Sequence, residues 1–419
     1  MYIYLSDEIR NIHYFGDFVI LICKNNKHII IKKKLEIFII EKAMCGIELE
    51  QLAIDIIKNF SINDTISNII KLLQNHFKEY PLIYTNESSR KLIYPVITGK
   101  KGKYYPYRLQ IELTSSCNLN CSHCYKNANE YQKYLSYNFI EKLLSYSNSA
   151  FYEIGLTGGE PLLHPDFNII ASICYKYSHQ LELNTNGLLL SQIPIEILRL
   201  FKYISISLYG LTDKDYIKNT NHKEGYTKLQ KSCLYLSENG IPFNLSVIPK
   251  KDMLSEMERY VKNAILLGAK SLQFGTINRI GRGNDLKEED NWFLTREDIN
   301  YIYRQIRLLS QKYSKDINII LWDRELYSTP QDNNSFSIIY PNNCFFCTAG
   351  TLQWGINEEM QFKPCVIFPD KLTLPYEKWV QYLEGQKELD WHKYIQALKK
   401  YCEIHRQSIE SFCDRLKWE

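Results

Sequence analysis

No apolar run in this sequence approaches the roughly 20 residues that cross a bilayer; its most hydrophobic stretches are as short as FVILIC. No membrane partnership is expected from it. The opening segment MYIYLSDEIRNIHYFGDF lacks the basic residues and apolar core of an export signal, so a cytoplasmic location is expected. No G-x-G-x-x-G turn follows a strand-like run and no Walker-type loop is present, which excludes nicotinamide, flavin and nucleotide sites of those kinds. A dominant charge is missing too: 51 Lys and Arg against 47 Asp and Glu leave +4, and that balance does not demand nucleic acid as a partner. Internal repeats and low-complexity tracts are absent. Histidine is sparse, at nine residues, and neither His164 nor His222 has a partner at ligand spacing.

What is present is an ordinary globular composition, 45% hydrophobic over 419 residues, with room for two or three domains. Three blocks are expected. In residues 1–80, DFVILICKNNKHIIIKK reads as two short strands around an Asn25-Asn26 turn. Apolar spacings of three and four then predict helices over 35–44, 49–59 and 65–77, with Asp64 as N-cap of the last. A hairpin plus three helices makes a small winged-helix-like unit. Residues 81–107, with three prolines and a Lys/Gly cluster, read as a linker.

From residue 108 to 328 short apolar strands alternate with helices: RLQIELT, EIGLTGG, QLELNTNG, YISISLYG, PFNLSVIPK and SLQFGTI. The fold class expected is α/β, a parallel sheet of about six βα units. Six units are too few to close an eight-stranded barrel, so an open, partial (β/α)6 TIM-like barrel is predicted. Residues 329–419 carry five cysteines and little else that could form a core, and a metal centre would explain how such a cap holds its shape.

The chain has twelve cysteines, which in a reducing compartment read as ligands or catalytic groups rather than disulfides. Cys117, Cys121 and Cys124, in TSSCNLNCSHCY, lie just past the first strand of the alternating block, where barrel loops build active sites. Three thiolates can hold three irons of a 4Fe-4S cubane and leave the fourth iron open. A zinc knot is the competing reading, but structural zinc sites favour paired C-x2-C hooks with four ligands. Cys23, Cys45, Cys174 and Cys233 fall in apolar stretches and read as core residues.

This C-x3-C-x2-C spacing, with His123 in the aromatic position before the third cysteine, resembles a radical S-adenosylmethionine enzyme. The resemblance implies that the open iron is chelated by S-adenosylmethionine and that one electron from the cluster releases a 5'-deoxyadenosyl radical. GLTGGEP supplies Gly158, Gly159 and Glu160 as the family's GGE motif, in which the glycines admit the cofactor and the carboxylate accepts from its ammonium. Asn184, Thr185 and Ser207 match family positions that touch the cofactor's carboxylate or ribose, although Tyr209 stands where the family often has Asp. Gly281-Arg282-Gly283 resembles a GRG loop after the sixth strand, with a basic surface turn as the alternative.

Cys344, Cys347, Cys365, Cys402 and Cys413 resemble a SPASM or twitch extension, with CTAG and KPC as landmarks. Met360 replaces the usual Gly and the dense cysteine run is missing, so one auxiliary iron-sulfur cluster is implied rather than two, with zinc as the alternative. The first block resembles a PqqD-like recognition element, in which a leader peptide adds a strand to a sheet edge; 17–23 and 28–33 are the candidate edges, and Lys32, Lys33 and Lys34 suit an acidic leader. Together these resemblances imply a maturase of a ribosomally made precursor peptide, of the sactipeptide or ranthipeptide type, that forms thioethers from cysteine and draws electrons from a ferredoxin or flavodoxin. Epimerisation and carbon-carbon crosslinking are the alternatives within the enzymes, along with formylglycine formation, which would leave the first block without a purpose. A silent peptide-binding or electron-carrier protein is the alternative outside them.

Overall fold

The computed structural model describes residues 1–24, 28–76, 82–86, 94–128, 133–275, 277, 280–321, 352–364, 366 and 373–386. The chain divides into two compact units at Tyr107 and Arg108, the first also taking in a short return near Gln381.

The first unit begins with four strands, β1 (Tyr2–Leu5), β2 (Ile9–Gly16), β3 (Phe18–Cys23) and β4 (His28–Ile31), and the helix α1 (Lys34–Met44). β5 (Ile47–Glu48), α2 (Leu49–Phe60), α3 (Ile66–His76), β6 (Leu82–Thr85) and β7 (Val96–Lys101) follow. The three helices form where apolar spacing placed them. Thr65, rather than Asp64, accepts from the N–H of Asn68 at the start of α3, while Asp64 accepts from the N–H of Thr65 and the side chain of Asn68. β3 and β4 pair antiparallel as the predicted hairpin, whose Asn25-Asn26 turn lies outside the described residues.

Two expectations change. β3 is hydrogen-bonded on both sides, by β2 and β4, so of the two candidate edges only β4 is an edge strand. The stretch read as a linker supplies β6, which pairs with β1, and β7, which pairs parallel to β2. Prolines and glycines marked turns there and hid two strands that the N-terminal sheets need. The core gathers Ile3, Ile12, Leu21, Ile39, Leu52 and Ile56, each at most 1% exposed. Cys23 joins it, whereas Cys45, just past the end of α1, is exposed and is not a core residue.

In the second unit the strands β8 (Arg108–Glu112), β9 (Glu153–Thr157), β10 (Gln180–Thr185), β11 (Tyr203–Ser207), β12 (Asn244–Val247) and β13 (Ser271–Phe274) run parallel in that order. Helices α4 (Tyr137–Ser147), α5 (Phe167–Tyr177), α6 (Ile195–Leu198), α7 (Asp213–Thr220), α8 (Gly225–Glu238) and α9 (Met257–Leu266) lie between them along the chain. The six expected strands are present, and the sheet is larger than six. After α10 (Arg296–Lys312), β14 (Asn318–Leu321) adds a parallel strand beside β13. At the other end β15 (Gln353–Ile356) pairs parallel to β8, followed by β16 (Gln361–Lys363) and β17 (Leu374–Pro375) in antiparallel pairing. Residues assigned to a separate cap therefore extend the main sheet. Phe362 stacks on Trp379 of the helix α11 (Tyr376–Leu383) at 3.8 Å, closing this end with aromatic packing. Arg108 ties the opposite, N-terminal strand ends together through Glu153 and Glu182. Cys174 and Cys233 are fully buried in helices, as expected.

Candidate functional site

The carboxyl ends of a parallel sheet are where crevices form, because successive strands send their loops to the same side. Here the loop after β8 carries Cys117, Cys121 and Cys124 into a cleft of about 260 Å³, also lined by Gly158, Gly159, Asn184, Thr185 and Ser207. Each of those strand ends was singled out from sequence, and the fold brings them to one place. Cys121 is 7% exposed, and the three thiols sit with Leu119, Leu188 and Tyr209 in a small apolar cluster.

The thiols already have the partners that thiolates use. Cys117 Sγ accepts from the N–H of Leu119 and from Asn186 Nδ2, and Cys124 Sγ accepts from the N–H of Ala128. Burial pushes the Cys117 thiol up to about 12 and the Cys121 thiol up as well, so an electropositive ligand is needed to hold them as thiolates. Among the described residues no three His, Cys, Asp or Glu converge on a point that one ion could fill. Three cysteine sulfurs on one loop are the donor set with which a polynuclear cluster would be held, each sulfur taking its own iron.

The GGE segment works on the cysteine loop as much as on the cleft. Gly159 N–H donates to the Thr114 carbonyl at 2.7 Å and Glu160 N–H to the Ser116 carbonyl at 2.8 Å. A Cβ on Gly159 would meet Ser116 O at 2.1 Å, and Gly158 has φ of +139°, so both positions require glycine for backbone-to-backbone contact. Glu160 is 0% exposed and does not line the cleft. Its carboxylate accepts from the Thr185 hydroxyl (2.6 Å), the Asn186 N–H (2.8 Å) and the Leu162 N–H (3.2 Å). In this geometry the side chain fixes the turn after β10. Burial raises its carboxyl to about 7 against those three donors.

His123 is buried against Trp292, with ring centroids 4.3 Å apart, and burial lowers its imidazole to about 3. Its Nδ1 has no partner among the described residues. Tyr209 lies 5.8 Å from the His123 ring, and its carbonyl accepts from Asn219 Nδ2. Ser207 remains on the cleft wall. Several residues here were not anticipated. Lys250, only 5% exposed, donates to Asn219 and stands 4.0 Å over the Trp292 ring, and burial lowers its ammonium. Asn186 holds Glu160 through its backbone and Cys117 and Asn118 through its side chain. The adjoining Asn184-Thr185 pair could have pointed to Asn186; nothing in the local pattern marks Trp292 or Lys250. Cys344, Cys347, Cys365, Cys402 and Cys413 lie outside the described residues.

Residues 111–264 match the sequence profile of the Radical SAM superfamily. Over 277 residues the chain is 26% identical to the sporulation killing factor maturation protein SkfB of Bacillus subtilis (strain 168), covering 64% of this chain and 62% of that one. It is 23% identical over 325 residues to the antilisterial bacteriocin subtilosin biosynthesis protein AlbA of the same organism, covering 74% and 65%. The chain thus spans a little under two thirds of these relatives' length. Among solved structures, Streptococcus suis SuiB shares the fold with a TM-score of 0.62 at 16% identity, over 91% of this chain and 89% of that one.

Proposed function

We propose that this protein is a radical S-adenosylmethionine maturase that modifies a ribosomally synthesised precursor peptide, forming thioethers from a cysteine to a neighbouring residue's carbon. The observation that carries the reading is the convergence of Cys117, Cys121 and Cys124 with Gly158, Gly159, Asn184, Thr185 and Ser207 on one cleft at the carboxyl ends of β8 to β11. Those cysteines would hold a 4Fe-4S cluster by three thiolates, and the glycine and strand-end residues would hold S-adenosylmethionine beside it. When bound, the pair supplies a one-electron cleavage that yields a 5'-deoxyadenosyl radical able to take hydrogen from a carbon. The chain's own residues do the rest. The apolar cluster of Leu119, Leu188 and Tyr209 keeps water from the thiols, and Glu160 holds the β10 turn against the cysteine loop.

The relatives support the peptide as substrate. SkfB is by name the maturation protein of a sporulation killing factor and AlbA the biosynthesis protein of the antilisterial bacteriocin subtilosin, and SuiB has been solved with its precursor peptide SuiA. In this reading β4 receives the leader as an added strand, Lys32 and Lys33 attract its acidic residues, and a ferredoxin or flavodoxin delivers electrons. The C-terminal cysteines Cys344, Cys347, Cys365, Cys402 and Cys413 hold one auxiliary cluster.

The deciding experiment is anaerobic. Protein reconstituted with iron and sulfide, reduced with dithionite and given S-adenosylmethionine should release 5'-deoxyadenosine, while a Cys117→Ala, Cys121→Ala, Cys124→Ala triple variant should not. Product from both, or from neither despite a full complement of iron, sinks the assignment. With a cysteine-bearing precursor peptide, a product lighter by two hydrogens whose cysteine no longer reacts with a thiol alkylating agent marks thioether formation, the same mass loss with the thiol still reactive marks a carbon-carbon crosslink, and an unchanged mass with an altered residue configuration marks epimerisation.

A further inference from the structure

The GRG loop after β13 has a role that neither its sequence nor the cleft's main residues define. Gly281 has φ of +58°, and a Cβ there would lie 2.4 Å from the Tyr125 carbonyl and 2.5 Å from that of Cys124. The two backbones are therefore pressed together at the third cysteine. Arg282 follows, and every donor it uses enters the cysteine loop. Its N–H donates to the Cys124 carbonyl (2.9 Å), its Nε to the Cys121 carbonyl (2.8 Å), and its Nη1 to the Ala128 carbonyl (2.7 Å) and Asn127 Oδ1 (3.2 Å). One side chain thus spans the loop from the second cysteine to four residues past the third. A planar guanidinium with donors on separate nitrogens can do this; an ammonium offers its three donors from a single atom and cannot reach oxygens spread along the loop in the same way.

The charge is the second observation. Each partner of Arg282 is a neutral oxygen, and among the described residues no carboxylate lies within ion-pair distance of it. A cation facing the cleft without a counterion is compensated by whatever negative charge the cleft holds, and thiolates at Cys121 and Cys124, whose carbonyls Arg282 holds, would supply it.

We propose that Arg282 is a positioning residue for the cluster site: its fork fixes the Cys121–Ala128 loop in ligand-ready shape, and its unpaired charge sets the reduction potential of a cluster bound there. A positive charge stabilises the more negative, reduced state, so it raises the potential. The inference rests on reading Cys117, Cys121 and Cys124 as cluster ligands.

The test compares full-length wild type, Arg282→Lys and Arg282→Gln after anaerobic reconstitution. Two quantities are read besides turnover: the rate of iron loss to a chelator, and the midpoint potential of the paramagnetic signal that changes when S-adenosylmethionine is added. R282Q should lose iron at least tenfold faster and show a potential lower by enough to change the oxidised-to-reduced ratio about tenfold, about 59 mV for one electron. R282K should also lose iron faster but keep a potential close to wild type, since it retains the charge and loses the fork. R282Q with wild-type iron retention and potential overturns the proposal, as does an R282K potential shifted as far as that of R282Q. Should R282Q fail to fold, R282K decides: faster iron loss at unchanged potential supports the proposal, and unchanged retention overturns it. A wild type that takes up no iron overturns the cluster reading and this inference with it, whereas a loaded wild type with indifferent variants overturns this inference alone.

Discussion

Two buried titratable side chains pull the protein's stability in opposite directions with pH. His13, in the first unit, is 0% exposed; its Nε2 donates to the Tyr105 carbonyl and its Nδ1 accepts from the Thr98 hydroxyl. Burial lowers its imidazole from 6.5 to about 4. The unfolded chain therefore binds a proton that the folded chain refuses, and the stability present above about 6.5 is lost as pH falls towards 4, by roughly 3 kcal/mol. Glu160 works the other way. Its carboxyl is raised from 4.5 to about 7, so the folded chain keeps a proton the unfolded chain has released, and stability falls as pH rises through that window, again by roughly 3 kcal/mol. His123, lowered from 6.5 to about 3, adds a slope of the same sign as that of His13, so Glu160 offsets only part of the two histidines in the wild type. Relative to the wild type, Glu160→Gln should steepen the rise of stability with pH between about 4.5 and 7, and His13→Gln should flatten it between about 4 and 6.5. Urea unfolding at half-unit pH steps checks both, and a variant with the wild-type profile would contradict the assignment for the residue it replaces.

At the scale of elements, the cysteine loop is anchored to the sheet by charge as well as by backbone. Lys126, two residues past Cys124, is buried between Glu112 at the end of β8 (3.0 Å) and Glu358 in the β15–β16 turn (2.7 Å), and Lys363 of β16 completes the group on Glu112 at 3.2 Å. Burial pulls the Lys126 ammonium down, but the two carboxylates outweigh it and hold it above its usual range. Removing one partner of a buried group leaves the others uncompensated, so Lys126→Met should cost about 3–5 kcal/mol. Lys126→Arg, which keeps the charge, should cost less, and thermal melts of the two variants separate charge from packing. None of this was legible in the sequence, because Glu112, Lys126, Glu358 and Lys363 are far apart in the chain and carry no spacing signal. The strand ends were legible for the opposite reason: Cys117, Gly158, Thr185 and Ser207 each follow a short apolar run, and a parallel sheet has to deliver such positions to one side. The strands hidden in 82–85, 96–101 and 353–356 were missed because each is short and gets its partner from a distant part of the chain.

Across the whole molecule the proposed function would draw its two activities from different units. The second unit carries the cleft and every residue named for the cluster and S-adenosylmethionine, while the first contributes an edge strand, β4, followed by Lys32 and Lys33, with Lys33 74% exposed at its side chain though paired with Glu36. Were both jobs done by one surface, weakening peptide capture would weaken S-adenosylmethionine cleavage too. Capture by a separate unit acts instead through effective concentration, which for a tethered segment can reach about the millimolar range and multiply avidity by roughly 10²–10⁴ without any new contact at the cleft. Reversing the charge at the edge, Lys32→Glu with Lys33→Glu, should therefore raise KM for an intact precursor peptide with an acidic leader, by about tenfold or more at low salt. The same variant should leave unaided 5'-deoxyadenosine release, and turnover of a leaderless core peptide, at wild-type levels. Because long-range attraction between exposed charges is screened, the KM difference should shrink as salt rises from 50 mM to 500 mM, where the Debye length falls to roughly 4 Å. Steady-state kinetics on both peptides at both salt concentrations, with 5'-deoxyadenosine also assayed without peptide, read these four outcomes, and a double variant that slows the leaderless peptide as much as the intact one would remove the first unit from peptide capture.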